Sequence, residues 1–202
     1  DKSLSIRWAL LASQAKGKSR AYNILKSHDV MSTLNCLKKL GVKIILKKKY
    51  CEIESSGLNS FSNKKNLTLN AGNSGTLGRL IIGLLVHYKN RVKIIGDKSL
   101  SKRDFSRVII PLKKFGASFT HKKKCGLPVT VTGLKDSKPI KYFEKRGSAQ
   151  CKSSIMLAAL NTKGETYIKA KKSRDHTEIF FRYLKIPISV KKKNNFDIIK
   201  IK

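Results

Sequence analysis

A glycine-bearing turn that runs directly into an apolar segment is the stretch of this sequence best suited to bind a ligand. Residues 70–86 read NAGNSGTLGRLIIGLLV, in which Gly72 and Gly75 let the backbone come close to a bound group. Ser74 or Thr76 can cap the following helix, whose first N–H groups then point at whatever lies there. The stretch predicts either an anion site or an ordinary capped core helix.

Similar polar segments recur before other predicted helices. Three of them precede the most apolar helices: Lys2, Ser3, Ser5 and Arg7; Asn73, Ser74, Thr76 and Arg79; Ser148, Gln150 and Lys152. Three others precede more polar helices: Ser27 and His28; Lys98, Ser99, Ser101 and Arg103; Ser173, Arg174 and His176. A helix N-terminus favours an anion by about 0.3 to 1 kcal/mol when exposed, and each hydrogen bond to a charged group adds about 1.5 to 3 kcal/mol. We therefore expect these segments to bind phosphate and carboxylate.

The elements that must position these segments repeat three times. The predicted helices cover 8–15, 30–40, 76–88, 104–115, 152–160 and 177–185. The predicted strands cover 18–25, 43–46, 50–54, 91–95, 118–121, 127–132, 166–170, 188–190 and 196–201. Gly41, Gly116 and Pro187 end the second helix of each unit and are spaced by 75 and then 71 residues. Such a period exceeds that of the usual solenoid repeats.

We therefore predict an α/β fold with a three-fold repeat of a helix-strand-helix-hairpin unit. The units span about 1–65, 66–138 and 139–202 and form a single lobe. The first helix of each unit is apolar on nearly every side, so we expect three buried, roughly parallel helices whose starts lie at one end, with the sheets outside.

The strong positive charge has two interpretations. The 45 Lys+Arg against 12 Asp+Glu, a formal charge of +33, would suit nucleic acid, an acidic membrane surface or anionic small molecules. However, the triple-lysine runs at 47–49, 122–124 and 191–193 fall at the predicted hairpin turn of each unit. In a closed three-fold arrangement they would lie on separate edges, which favours solvated turns and a compositional bias.

The cysteines and the hydropathy pattern restrict the class of protein. Cys36, Cys51, Cys125 and Cys151 are far apart and have no His or Cys neighbour at ligand spacing, which predicts reduced thiols and no metal. No stretch approaches the roughly 18 uninterrupted apolar residues of a membrane span. We expect a cytoplasmic protein, although the chain begins without Met and a preceding segment with a targeting signal stays open.

Five motifs, in order and over essentially the whole chain, resemble those of the 5-enolpyruvylshikimate-3-phosphate (EPSP) synthase family. They are DKSLSIR at 1–7, GNSGTLGR at 72–79, GDKSLSKR at 96–103, SAQCKS at 148–153 and SRDHTE at 173–178. The family has two lobes of three such units each, and its substrates bind in the cleft between them. This chain resembles one lobe, so the resemblance implies that the second lobe is absent from this sequence.

The resemblance implies a transferase of the shikimate pathway for aromatic amino-acid biosynthesis, a 3-phosphoshikimate 1-carboxyvinyltransferase. The 5-hydroxyl of shikimate 3-phosphate adds to C2 of phosphoenolpyruvate, and phosphate leaves from a tetrahedral intermediate. It further implies no cofactor, a monomer when intact, inhibition by glyphosate, and no turnover by one lobe alone.

Site residues follow from the same motifs, with Lys2 implied to be catalytic. Those implied to bind shikimate 3-phosphate are Lys2, Ser3, Arg7, Ser148, Ala149, Gln150, Ser173 and Arg174. Those implied to bind phosphoenolpyruvate are Lys2, Asn73, Gly75, Arg103 and Gln150. Two residues depart from the family pattern: Asp104 stands where Pro is frequent and would draw Arg103 into an ion pair, and His176 replaces Tyr.

Two alternatives remain at this point. The related carboxyvinyltransferase acting on UDP-N-acetylglucosamine is expected to carry a Lys-Asn pair near its start and a loop cysteine, whereas this chain has Lys2-Ser3 and no cysteine in 96–103. A nucleic-acid-binding protein would interleave aromatic residues with its lysines, and only Tyr50 adjoins a triple-lysine run.

Overall fold

The structure, a computed structural model, describes residues 1–121 and 125–202, which contain seven helices and eleven strands. The helices are α1 (Lys2–Ala12), α2 (His28–Lys39), α3 (Gly75–Leu85), α4 (Lys98–Ser101), α5 (Ser106–Lys114), α6 (Ala149–Ala159) and α7 (His176–Tyr183). The strands are β1 (Lys16–Tyr22), β2 (Lys43–Leu46), β3 (Tyr50–Ser56), β4 (Leu67–Asn70), β5 (Val92–Ile95), β6 (Ser118–His121), β7 (Val129–Thr132), β8 (Lys141–Glu144), β9 (Thr166–Lys171), β10 (Ile188–Lys192) and β11 (Phe196–Ile201).

All six predicted helices are present, with shifted ends. The largest shift is at α1, which begins at Lys2 because the Asp1 carboxylate caps it by accepting a hydrogen bond from the Leu4 N–H at 2.9 Å. The prediction that the third lysine run is a turn is wrong in part, since Lys191 and Lys192 pair within β10 against β11. The run at 122–124 lies outside the described residues.

The strands form three sheets in the orders β1-β3-β2, β4-β5-β7-β6 and β10-β11-β9-β8. The first sheet is antiparallel throughout, whereas β4 pairs parallel to β5 and β8 pairs parallel to β9. The sequence did not predict β4 or β8. In each case four residues separate the end of this parallel strand from the start of a buried helix, α3 or α6. This strand-turn-helix arrangement positions two of the candidate segments.

By its packing the chain divides into two compact units. The first consists of Asp1–Gly78, Asn90–Asp104 and Thr120–Thr130, and the second of Arg79–Lys89, Phe105–Phe119 and Val131–Lys202. The core of the first unit includes Ile6, Leu10, Leu34, Leu37, Ile53, Leu69 and Ile94; that of the second includes Leu112, Phe115, Ile155, Met156, Ile168, Phe181 and Ile199. The interpretation of 1–202 as one lobe of three repeats stays a prediction.

Within the second unit, α6 runs parallel to the part of α3 that begins at Arg79. Arg79 contacts Gln150, and His87, just beyond the end of α3, contacts the carbonyl of Ala158, both pairs being 71 residues apart. Between them Gly83 allows close backbone approach, since a Cβ there would lie 2.3 Å from the carbonyl oxygen of Ser154. Two of the predicted buried helices therefore run in the same direction.

The first helix of each predicted unit was expected to be buried and the second to be more exposed, and α6 and α7 differ in this way. Every residue of α6 from Cys151 to Ala159 is buried, whereas α7 buries only Thr177, Glu178 and Phe181. Among the described residues, every helix falls short of the length and apolarity needed to cross a lipid bilayer.

Candidate functional site

The turn before α3 has the geometry that its glycine and hydroxyl residues predict. Gly72 adopts a left-handed backbone conformation, with φ of +56°, and the Ser74 N–H donates to the carbonyl of Ala71 at 2.9 Å. Ser74 is the residue that caps the helix, because its Oγ accepts a hydrogen bond from the Leu77 N–H at 3.2 Å. Gly75 is the first residue of α3 and is buried.

The loop that contains Arg103 is attached to this turn within the first unit. The Asp97 N–H donates to the carbonyl of Gly72 at 2.8 Å, and the Asn73 amide donates to the Asp97 carboxylate at 2.6 Å. The structure thus brings together Asn73 and the loop leading to the exposed Arg103, as expected for residues of one site.

Asp97 organises this loop and was not singled out as a site residue in the sequence. Its carboxylate caps α4 by accepting a hydrogen bond from the Leu100 N–H at 2.7 Å. That bond is the main cause of the lowered pKa of Asp97, and the Asn73 amide and the charge of Arg103 act in the same direction. The signal in the sequence was an Asp placed just before a short helical stretch.

At the start of α1, the chain's own groups hold both basic residues of the first motif. Lys2 is half exposed and its Nζ lies 3.3 Å from the Asp29 carboxylate. Arg7 is buried, with 4% of its surface exposed, and donates through Nη1 to the hydroxyl and the carbonyl of Ser3. Because residues four apart share one helix face, Ser3 and Arg7 act as a pair.

In the second unit, a buried carboxylate shapes the turn that precedes α6. Glu144 is 3% exposed, and its two oxygens accept hydrogen bonds from the Arg146 N–H at 3.0 Å and the Ser148 N–H at 2.9 Å. Ser148 in turn caps α6, since its Oγ accepts from the Cys151 N–H at 3.2 Å. Glu144 has no counterpart among the predicted site residues, because its role depends on the turn closing around it.

Gln150, the second residue of α6, is oriented by Arg79. Arg79 Nη1 donates to the Gln150 Oε1 at 2.8 Å, and the guanidinium also lies 4.9 Å from the centre of the Phe105 ring. Arg79 is only 6% exposed. Its positive charge therefore lies beside Gln150, where the sequence alone did not place it.

The expectation that Lys152 belongs to the ligand-facing segment is wrong. Its side chain is 0% exposed, and its Nζ lies 2.5 Å from the Glu178 carboxylate of α7. Every residue of α6 from Cys151 onward is buried, so Lys152, in the first turn of this helix, is buried together with the apolar residues. Lys152 thus contacts a second helix rather than solvent.

The segment before α7 lies against the turn before α6. A Cβ added at Gly147 would lie 3.3 Å from the carbonyl oxygen of Lys172, so the two backbones are close neighbours. Ser173 has a buried Oγ with no hydrogen-bond partner in the described part of the chain, and Arg174 is exposed. The structure thus brings together the predicted residues Ser148, Gln150, Ser173 and Arg174 on neighbouring turns of the second unit.

The four cysteines are free thiols, as predicted. Cys36, Cys51 and Cys151 are buried. Burial raises the pKa of Cys36 to about 11 and that of Cys151 to about 12. Within residues 1–121 and 125–202 there is no group of three or more His, Cys, Asp or Glu side chains that could hold a metal ion.

The comparison with known families supports the resemblance found in the motifs. The model of the family described as EPSP synthase (3-phosphoshikimate 1-carboxyvinyltransferase) matches residues 1–201. The chain belongs to the EPSP synthase family.

Curated relatives of the EPSP synthase family agree with this assignment. The chain is 42% identical over 197 residues to the 3-phosphoshikimate 1-carboxyvinyltransferase of Petrotoga mobilis, covering 95% of this chain and 45% of that protein. It is 43% identical over 180 residues to the protein of that name from Streptococcus pyogenes serotype M2, covering 88% and 42%. The chain therefore spans about half the length of the curated relatives it matches.

The fold is also that of an EPSP synthase. The structure of EPSP synthase from Acinetobacter baumannii matches with a TM-score of 0.90 and 34% sequence identity, over 100% of this chain and 45% of that one. The predicted α/β fold class is thereby confirmed, whereas the three-fold repeat within it stays a prediction.

Proposed function

We propose that the protein to which this chain belongs transfers the enolpyruvyl group of phosphoenolpyruvate to the 5-hydroxyl of shikimate 3-phosphate and releases phosphate. Membership of the EPSP synthase family supports this activity, and curated relatives carry the corresponding name. The observation that carries the proposal is the pairing of the Ser148 and Ser173 turns in the second unit, which gathers hydroxyl, amide and guanidinium donors on adjacent backbones.

The second unit would bind shikimate 3-phosphate through these donors. The Ser173 hydroxyl is buried without a partner among the described residues, so a ligand oxygen would satisfy it. The exposed Arg174 supplies a planar fork of N–H groups that matches a phosphate. Gln150 presents its oxygen to Arg79, so its NH₂ group points away from the guanidinium, and the motif resemblance implies that this residue contacts the ligand.

The first unit would bind phosphoenolpyruvate. Asn73 and the loop ending at Arg103 are linked through Asp97, and Gly75 offers a backbone N–H at the start of α3. The Asp97 carboxylate accepts hydrogen bonds from the Asn73 amide and from the backbone of α4. Donors of the protein itself therefore surround its negative charge. Arg103 is exposed and can reach the phosphate of this substrate.

In the proposed reaction the 5-hydroxyl loses its proton and adds to C2 of phosphoenolpyruvate while C3 takes a proton, which gives a tetrahedral intermediate. C3 then gives up a proton as phosphate leaves from C2, and the C2–C3 double bond of the enolpyruvyl group is restored. Proton transfer by positioned groups contributes about 10² to 10⁴ in rate. Lys2 supplies an ammonium group that is half exposed and held by Asp29 at 3.3 Å, so it is oriented yet open to a substrate. The role of Lys2 toward both substrates, and those of Ser3 and Arg7 toward shikimate 3-phosphate, rest on the motif resemblance.

Half of the proposed site lies outside this chain. The family's second lobe supplies further cations and the acidic group, and the chain spans about 45% of its matched relatives. We therefore propose that this chain alone binds weakly and does not turn over, and that the intact protein is a cytoplasmic monomer without a cofactor.

The nucleic-acid alternative has one surface feature in its favour. The exposed Phe143 and the half-buried Phe196 pack edge to face, with ring centres 5.3 Å apart. The ammonium group of Lys169 lies 4.9 and 4.8 Å from these two ring centres. Aromatic rings among lysines are what this alternative predicts, whereas the family match supports the transferase.

Phosphate release by the full-length protein tests the proposal. With both substrates we expect steady release that depends on shikimate 3-phosphate, and none when UDP-N-acetylglucosamine replaces it. Absence of release with shikimate 3-phosphate, or equal release with the sugar nucleotide, would overturn the proposed activity. Tight DNA binding that persists in added shikimate 3-phosphate would favour the alternative function.

A further inference from the structure

The ion pair between Lys152 and Glu178 is enclosed by the second unit. The two side chains are 0% and 3% exposed, and Nζ lies 2.5 Å from Oε1. Removing two charges from water costs several kcal/mol per ion, and apolar side chains of similar volume in place of a buried pair are often neutral or stabilising. Stability alone therefore does not explain why charged residues occupy these two positions.

Both residues lie immediately after the candidate binding segments. Lys152 is in the first turn of α6, directly after Ser148 and Gln150, and Glu178 is in the first turn of α7, directly after Ser173 and Arg174. The pair therefore joins the two helices at the ends that carry the proposed ligand donors.

A second contact, between the residues adjacent to the ion pair, also fixes the orientation of α7 relative to α6. Ser153 and Thr177, each adjacent in sequence to one member of the ion pair, share a buried hydrogen bond between their hydroxyls at 2.7 Å. Two consecutive residues of α6 thus contact two consecutive residues of α7. One contact would fix a distance, whereas two also fix how α7 is rotated and shifted along α6.

We propose that Lys152 and Glu178 are positioning residues that hold the Ser173–Arg174 turn in register with the Ser148–Gln150 turn for binding of shikimate 3-phosphate. This inference rests on the proposed function. A buried ion pair keeps its attraction only while the two charged groups stay close together, whereas an apolar pair of the same size packs equally well over a range of offsets. Binding groups need placement to within about 0.5 Å, and a displacement of about 1 Å can cost about a hundredfold in rate.

The test is the double variant Lys152→Met/Glu178→Leu in the full-length enzyme, which exchanges the charges for apolar groups of similar volume. We expect its melting temperature to stay close to that of the wild type or to rise, because well-packed apolar side chains often replace a buried ion pair without loss of stability. Its dissociation constant for shikimate 3-phosphate should rise at least tenfold in calorimetry. The KM for phosphoenolpyruvate should change less than this dissociation constant, because Gln150 is the only proposed phosphoenolpyruvate residue in the second unit. The others, Lys2, Asn73, Gly75 and Arg103, belong to the first unit.

A matched control exists on the surface of the same unit. Lys200 and Glu165 form an ion pair at 3.1 Å with side chains 44% and 36% exposed. The variant Lys200→Met/Glu165→Leu should keep the wild-type affinity for both substrates. Equal loss of shikimate 3-phosphate affinity in the control and the test variant would show that any lost ion pair has this effect, and would overturn the inference.

A folded double variant that binds shikimate 3-phosphate within twofold of wild type would show that the pair only fills the core. If the double variant does not fold, Glu178→Asp tests the positioning role instead, because it keeps the charge and withdraws the carboxylate by one methylene. Weaker shikimate 3-phosphate binding with an unchanged phosphoenolpyruvate KM then supports positioning, and unchanged binding refutes it. Failure of the proposed function itself is distinguishable, since the wild-type protein would then not bind shikimate 3-phosphate.

Discussion

Arg79 donates a hydrogen bond to the Gln150 Oε1 across 2.8 Å, which fixes the orientation of the Gln150 amide. A guanidinium carries only donors, so the amide oxygen must face it and the NH₂ group must point away. A buried cation thus decides that Gln150 acts as a donor on its other side. This relationship makes the identity of residue 150 testable.

Gln150→Glu should separate stability from binding. The carboxylate can accept from Arg79 in a charge-assisted hydrogen bond, so the free energy of unfolding should be unchanged or raised. Substrate affinity should fall at least about tenfold, because the donor is lost and a negative charge faces anionic substrates. Calorimetry with shikimate 3-phosphate and urea unfolding of the full-length protein would measure both. Unchanged affinity would mean that the amide does not contact the substrate.

Arg174→Ala should weaken binding without affecting folding. The loss of a charge-assisted hydrogen bond to phosphate costs about 1.5 to 3 kcal/mol, and Arg174 is exposed, so the melting temperature should be preserved. Arg182→Ala, which removes an exposed arginine from the last turn of α7, is the matched control. If the two variants bind shikimate 3-phosphate equally well, Arg174 has no place in the site.

Gly75→Ala should confer resistance to glyphosate on the full-length enzyme. In the family this inhibitor occupies the phosphoenolpyruvate position and reaches slightly further, so a methyl group at the first residue of α3 should crowd it more than the substrate. The helix-end N–H groups remain, so phosphoenolpyruvate should bind with only a modest loss. Steady-state inhibition would check this expectation: identical inhibition constants for wild type and variant would place Gly75 outside the inhibitor site.

His87 should make the protein less stable as the pH falls. Its Nε2 faces the Ala158 carbonyl at 2.7 Å and therefore carries the hydrogen, while Nδ1 lies 3.3 Å from the Ser137 hydroxyl. Burial lowers the pKa of His87 below its ordinary value of 6.5, with the bond to Ala158 opposing in part.

The direction in which stability changes with pH follows from proton uptake. As the pH falls through 6.5 the unfolded state binds a proton that the folded state does not, so stability decreases until the folded pKa is passed and then levels off. His87→Gln should reduce this decrease in urea unfolding between pH 7.5 and 5.5, even if it is less stable at both. A variant with the wild-type pH dependence would assign that dependence to other groups.

The thiols should differ in reactivity. Thiolates are the reactive form, and burial raises the pKa of Cys36 to about 11 and of Cys151 to about 12. Cys125 is half-buried. Iodoacetamide at pH 8 should label Cys125 first, as read by peptide mass spectrometry, and should label all four only in denaturant. Labelling of native Cys151 as fast as Cys125 would contradict its burial.

Local patterns in the sequence were enough for the family and for six of the seven helices in the described residues, whereas the short α4 (Lys98–Ser101) was not predicted. Apolar residues on nearly every side of 76–88 predicted a buried helix, and Ser74 or Thr76 at its start predicted a cap, because helix periodicity and capping involve residues only three or four positions apart. The structure selects Ser74 as the capping residue. The five motifs likewise identified the family without any structure.

What only the tertiary structure decided are relationships between residues far apart in the chain. The strands β4 and β8 are four residues long and exist through their parallel partners β5 and β9, so no local pattern announced them. Lys152 reads as one lysine among many, yet its fully buried ammonium is held by Glu178, 26 residues later, in a different helix. A buried charge is costly unless a partner charge or polar group meets it, and which partner that is depends on how the helices pack.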